Sequence, residues 1–166
     1  MDFIAFLRES EKILPKCITF KPISLGDFQD VEKEFNLEIH PYISQILFFS
    51  NGVIINPFTL YGIKNKRIAD ILKLNMKFIK RDSRYIYFSC SEHINFSYNV
   101  DNGIIYKQDY SEIAPELIPI AKNFDDFFSS VATKISYIVD NDLSDEIYTF
   151  EDEELPENLR KWPISY

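Results

Sequence analysis

Cys90 and His93, three positions apart, are the residues whose types and spacing come nearest to a nucleophile with its base. A thiol attacks as the thiolate, and at neutral pH it ionises only with an imidazole or another cation beside it. The competing reading makes Cys90 a small buried residue near a strand end and His93 a loop residue, since free cysteines are among the most buried types. His40 and His93 stand 53 positions apart without a His-Glu-x-x-His pattern, so no zinc site is indicated. Asp125 and Asp126 form a carboxylate pair. They follow Asn123, however, and the first turn of a helix favours acids for electrostatic reasons alone. Gly26, Gly52, Gly62 and Gly103 are too scattered for a phosphate loop or a dinucleotide fingerprint, and there is no Gly-x-Ser-x-Gly elbow. Cys17 and Cys90 lack the spacing of a disulfide framework or a structural metal site. These readings favour a binding protein over an enzyme, with no cofactor and no metal.

Charge is the other chemistry-bearing feature. The chain of 166 residues has a net charge of −8, yet residues 140–166 hold nine acids against two bases, a net of −7. The preceding residues are almost neutral. Such a segment steers toward a basic partner and repels nucleic acid and anionic membranes; the alternative is a solvated tail that aids solubility. Between positions 64 and 84 lie eight bases and two acids. Lys73, Lys77, Lys80 and Arg84 recur there at helical spacing, which predicts a basic stripe on an amphipathic helix. Phe78 and Tyr85 beside it make a nucleic-acid platform conceivable, but a sequence pI near 4.8 opposes that reading.

The elements that must position these groups follow from periodicity. Hydrophobic residues make up 46% and aromatics 16%, enough to build one core and too much for a disordered chain. No apolar run approaches the ~18–20 residues of a membrane span, and the N-terminal residues lack a signal-peptide pattern, so a cytoplasmic protein is expected. Phe3, Ile4, Leu7 and Ile13 predict a first helix stopped by Pro15. An extended stretch at 19–23 leads to a helix capped by Ser24, with Phe28, Val31 and Phe35 inward. Pro41 opens a third helix that ends at Asn51-Gly52. Two short strands at 53–56 and 58–63 precede a basic helix over about 67–80, with Ile68, Ile71, Leu72 and Ile79 inward. Strands follow at 84–88 and 94–100, the latter with Ile94, Phe96, Tyr98 and Val100 on one face. After the turn Asp101-Asn102-Gly103 the chain returns as a strand at 104–108. A loop containing Pro115 and Pro119 then leads to a long helix capped by Asn123. This order predicts an α+β fold, an antiparallel β-meander with helices packed on one face. Residues 1–139 make the single domain. The acidic extension 140–166 carries Leu143, Ile147, Phe150, Leu155 and Trp162, enough apolar surface to dock on it.

Several of these signals form a series: Glu32 or Glu34 before a turn, Pro41, the helix end Asn51-Gly52, and the strand end Leu60-Tyr61-Gly62. Farther on come the strand at 95–100, the turn Asp101-Asn102-Gly103, the strand Ile104-Ile105-Tyr106 and the helix start Asn123-Phe124-Asp125-Asp126-Phe127. Spanning about residues 20–135, the series resembles the SUKH superfamily, which groups fungal cell-wall-synthesis regulators with bacterial immunity proteins. The chain departs from that pattern at His40, where leucine is usual, at Val53, where a second glycine is common, and in its acidic extension.

The resemblance implies an immunity protein that neutralises a cognate polymorphic toxin, often a nuclease. A toxin that handles nucleic acid exposes a basic surface, and an acidic inhibitor can occlude it. The partner-binding residues expected on this reading are Asp140, Asp142, Asp145, Glu146, Glu151, Asp152, Glu153 and Glu154, with Tyr148 as an aromatic anchor. The alternative is an intracellular scaffold or regulator of the fungal kind, which recruits several partners.

Overall fold

In a computed structural model, which describes residues 2–13, 17–35, 38–78, 84–141, 155–160 and 162–163, the alternating segments extend into one seven-stranded sheet. Its strands are β1 (Cys17–Thr19), β2 (Val53–Ile55), β3 (Phe58–Leu60), β4 (Tyr85–Ser91), β5 (Ile94–Asn99), β6 (Ile105–Asp109) and β7 (Ile118–Ala121). Every pair is antiparallel and spatial order equals chain order, a pure meander. The described helices are α1 (Phe3–Ile13), α2 (Leu25–Phe35), α3 (Pro41–Phe49), α4 (Ile71–Phe78), α5 (Phe124–Asp140) and α6 (Glu157–Arg160). The protein is therefore α+β, with helices packed on the sheet. No described helix is long and apolar enough to cross a membrane.

Local chemistry sets the helix starts. The Ser24 hydroxyl accepts the Asp27 N–H at 3.1 Å and donates to the Asp27 carboxylate at 2.6 Å. Asn123 Oδ1 accepts the Asp126 N–H at 2.8 Å. The bonds to the Asp27 and Asp126 N–H groups satisfy donors that the helix itself leaves unpaired. Pro41 takes the first position of α3, where no donor is needed.

Four sequence expectations are corrected. The strand before α2 lies at Cys17–Thr19 rather than 19–23, because it pairs with β2 in the register Cys17 to Ile55. The Pro115–Pro119 loop contains β7; Pro119 is tolerated because β7 is an edge strand, where one missing donor costs no ladder bond. The basic helix begins at Ile71 and not near Arg67, since Asp70 Oδ1 caps it by accepting Leu72 N–H at 2.9 Å and Lys73 N–H at 3.2 Å. Arg84 lies outside α4, at the entry to β4 with its guanidinium 5.9 Å from the Tyr85 ring, and does not continue a helical stripe. Finally, β5 stops at Asn99, whose side chain and carbonyl accept the turn N–H groups of Asp101 and Gly103. Val100 is left about half exposed, away from Ile94, Phe96 and Tyr98. The side chains of Ile13 and Phe35, and residues Ile79, Leu143, Ile147 and Phe150, lie outside the described residues.

The core is an aromatic cluster. Phe3, Phe58, Phe88, Phe96, Phe127 and Phe128 are fully buried. Phe88 meets Phe127 edge-on at 5.4 Å, Phe96 meets Phe127 at 5.1 Å, and Phe3 stacks on Phe128 at 4.3 Å. These contacts lock α1 and α5 onto one sheet face, with offset and edge geometries that favour aromatic pairs beyond area burial.

Phe88 reaches that face because β4 bulges. Tyr87 pairs with Ser97 and Ser89 with Phe96, leaving Phe88 as the extra residue. β3 has already ended at Leu60 by this point, so Tyr87 has no strand partner on that side. Asn75 of α4 replaces it: its Oδ1 accepts the Tyr87 N–H at 2.8 Å and its Nδ2 donates to the Tyr87 carbonyl at 2.7 Å. Nδ2 also donates to the Ile71 carbonyl at 2.6 Å, so a fully buried carboxamide is satisfied on both ends. Asn75→Leu, which roughly keeps the volume, leaves Tyr87 N–H and C=O buried without partners. It is expected to lower stability by about 3 kcal/mol in urea denaturation; an unchanged midpoint would show that Asn75 does not stand in for a strand.

His40 caps α3, its Nδ1 accepting the Tyr42 N–H at 3.2 Å while its ring packs 4.5 Å from Phe124. Burial lowers its pKa below 6.5. The folded state thus binds fewer protons than the unfolded one across that interval. The cap's contribution is present above pH 6.5 and is lost as pH falls through the depressed folded value. In urea titrations from about pH 8 to about pH 5, His40→Asn is expected to keep the cap and flatten the acid decline relative to wild type. Parallel pH curves for the two proteins would refute this.

Candidate functional site

The helix end Ser50-Asn51-Gly52 is a densely bonded corner of the fold. Asn51 Oδ1 accepts the Ile63 N–H at 2.7 Å, its Nδ2 donates to the Ile63 carbonyl at 2.8 Å, and its carbonyl accepts from Asn65 Nδ2 at 2.8 Å. Gly62 passes so close that a Cβ there would lie 2.6 Å from the Asn51 carbonyl oxygen. Gly52 turns the chain with φ +99°, a conformation that costs glycine little. The Ser50 hydroxyl accepts the Phe20 N–H at 2.8 Å, so the same corner also holds the segment between β1 and α2. Of the two glutamates in the sequence series, Glu32 ties α2 to the residues just before α3 by accepting the Ile39 N–H at 3.1 Å; the Glu34 side chain lies outside the described residues.

The groups weighed from sequence as catalytic each have defined neighbours. Cys90 sits opposite Asn95 in the β4–β5 ladder, and burial pushes its thiol up, outweighing the opposing effect of the neighbouring Tyr61 hydroxyl. A raised pKa keeps it a thiol and not a nucleophilic thiolate. His93 turns instead toward Asp109, 3.5 Å away, and Glu92, 3.8 Å away. Slight burial pushes the Asp109 carboxyl up. Hydrogen bonds from the Ser111 hydroxyl and N–H, with the nearby His93 and Lys107, outweigh it and hold that carboxyl below its usual value. Asp126 belongs to the α5 cap. Asp125 lies beside Tyr42, whose hydroxyl is pushed up to about 12, first by burial and then by that charge.

Of the acidic residues expected to bind a partner, Asp140 is exposed at the last position of α5. An acid there opposes the negative end of the helix dipole, and no base in the last turn offsets it. Asp142, Asp145, Glu146, Tyr148, Glu151, Asp152, Glu153 and Glu154 lie outside the described residues. The chain that follows them is firmly attached. Leu155 is fully buried and its carbonyl accepts from Arg160 Nε at 2.5 Å. Trp162 stacks on Phe127 at 5.6 Å and meets Phe96 edge-on at 5.3 Å, and the buried Lys134 places its Nζ 4.8 Å from the Trp162 ring centre. One end of the acidic stretch is therefore α5 and the other is pinned to the aromatic core.

The structure adds a surface that the sequence reading did not single out. The sheet face opposite the phenylalanine cluster carries Tyr61, Tyr85, Tyr87, Asn95, Tyr106 and Gln108. These residues fall opposite one another or interlock by side-chain contact. Tyr61 donates to Asn95 Oδ1 at 2.5 Å, and Tyr87 and Tyr110 both donate to Gln108 Oε1, at 2.6 and 2.7 Å. Gln108 Nε2 in turn holds the Pro115 carbonyl at 2.9 Å. Ser97, opposite Tyr87 on one side and Tyr106 on the other, is small enough for it to be completely covered. The signal was present in the sequence. The positions between the inward Ile94, Phe96 and Tyr98 are polar or small, Asn95 and Ser97, and Ser97 is matched by tyrosines on both β4 and β6.

No family model matches the chain, and no curated protein matches it. The attachment of the C-terminal segment can be followed directly, because Trp162 is the only tryptophan. Native fluorescence is expected to be blue-shifted and to move to the red as the protein unfolds. Trp162→Ala is expected to cost about 2–3 kcal/mol, read by circular dichroism in denaturant. A solvent-like native emission maximum would show that Trp162 is not docked on Phe127.

Proposed function

We propose that this protein is a non-enzymatic inhibitor of the SUKH immunity type, which neutralises a basic toxin by covering its charged surface with residues 140–154. The observation that carries this reading is the concentration of acid: residues 140–166 hold −7 of the net −8. That charge follows an α5 terminus whose dipole disfavours Asp140 and precedes the pinned Leu155 and Trp162. Anchors on either side of a binding segment reduce the conformational freedom that association would remove, which favours affinity. A dense acidic field also speeds encounter with a basic target and makes it sensitive to salt. A nuclease suits such an inhibitor, because its substrate demands a basic groove.

The tyrosine-lined face supports a second reading, that of a scaffold or regulator. Tyrosine is enriched at protein interfaces, and Tyr110 and the partly exposed Tyr85 and Tyr106 present rings with polar rims. A protein with two separate contact surfaces can hold two partners.

The deciding experiment co-expresses this chain with the product of the gene beside its own, on this proposal the toxin. Replacing the acids at 142, 145, 146 and 151–154 by their amides is expected to abolish protection while leaving the Trp162 emission unchanged. Binding of the purified pair is expected to weaken at least tenfold as salt is raised from about 0.05 to about 0.5 M. Full protection by the neutralised variant would exclude the acidic segment from the mechanism, and loss of protection on Tyr85→Ala with Tyr106→Ala instead would move the interface to the open sheet face.

A further inference from the structure

A cleft of about 570 Å³ opens between the segment that joins β1 to α2 and the loop that joins β3 to α4. This is within the ~300–1,000 Å³ of typical small-ligand sites. Four cations line it, Lys21, Lys64, Lys66 and Arg67, and all four are exposed. Among the described residues none of these side chains has a carboxylate partner. One acid, Asp27, also lines the cleft, and its carboxylate is engaged by the Ser24 hydroxyl. In a protein of net charge −8, a local excess of three positive charges is a concentrated departure from the mean.

The cations stand on a built loop. Lys64 is left-handed, at φ 52°, and its N–H is held by Asp70 Oδ2 at 2.7 Å. Asn65 is bonded to the Asn51 carbonyl and accepts the Arg67 N–H at 3.0 Å. Gly62 is tied to both Ala69 and Ile71 by backbone bonds of 3.1 and 2.9 Å. The opposite wall includes Phe20, fixed through its N–H to Ser50. Like charges repel, so a frame that holds three of them within four residues on fixed backbone is preorganised for an anion.

We infer that this cleft binds a polyphosphate group. Phosphates carry more charge per atom than carboxylates and match the fork of an arginine beside the point charges of lysines. The source can be a nucleoside polyphosphate, with its base against the Phe20 wall, or an inorganic polyphosphate. Neither source depends on the acidic segment, so this site and the inhibitor reading stand or fall separately.

Isothermal titration of the full chain with ATP, inorganic tripolyphosphate and hexaglutamate tests the assignment. Saturable binding of ATP or tripolyphosphate is expected, weakened at least tenfold by Lys66→Ala with Arg67→Ala and weakened by salt. Asp27→Asn is expected to tighten it two- to fivefold, a gain that misfolding cannot mimic. Under Phe20→Ala, a loss for ATP alone identifies the nucleoside source, and no loss for either phosphate probe identifies the inorganic one. Absence of binding by both phosphate probes, indifference to the Lys66 and Arg67 changes, or equal binding of hexaglutamate would overturn the inference.

Discussion

The close passage of Gly62 past Asn51 is the constraint on which most of this architecture rests. A backbone separated from a neighbouring carbonyl by less than a Cβ contact leaves room for glycine alone, and the Asn51 carboxamide then completes the junction by pairing with both polar groups of Ile63. The end of α3, the exit of β3 and the approach to α4 are fixed relative to one another by these few atoms. Because Ser50 also holds Phe20, the segment between β1 and α2 is registered against the same point. Replacing any of these bonds by water would expose a buried polar seam, which costs more than the net worth of a hydrogen bond.

The sheet built on this corner has two chemically distinct faces. One is a phenylalanine layer that binds α1, α5 and the C-terminal Trp162. The other is a network of tyrosine hydroxyls and side-chain amides. A single-residue bulge at Phe88 lets β4 serve both, adding an inward ring without turning Tyr87 inward. The bulge exposes backbone that the short β3 cannot reach, and Asn75 closes that gap from a helix. Polar side chains here extend the ladder where the chain has no strand to offer.

Charge is distributed with the same economy. Three carboxylates of the described body serve helix starts: Asp70 caps α4 directly, and Asp27 and Asp126 bond the capping side chains of Ser24 and Asn123. Cations gather around the cleft beside α2, and acids gather beyond α5. The two poles come from different parts of the chain, so each can serve a separate partner.

The α+β class, the helix caps at Ser24 and Asn123, the start of α3 at Pro41 and the inward set Ile94, Phe96 and Tyr98 were legible in the sequence. Each depends on neighbours within a few residues, and local sterics and periodicity carry that information. So was the acidic segment, since charge along a chain needs no fold to be counted. Tertiary structure alone decided that Pro119 lies in an edge strand and that Asn75 serves as a surrogate strand. It also decided that Lys21 joins Lys64, Lys66 and Arg67 around one cleft. In each of these the partners are far apart in sequence or are placed by pairing register. Hydrogen-bond satisfaction across such distances is set by packing, which no local pattern records.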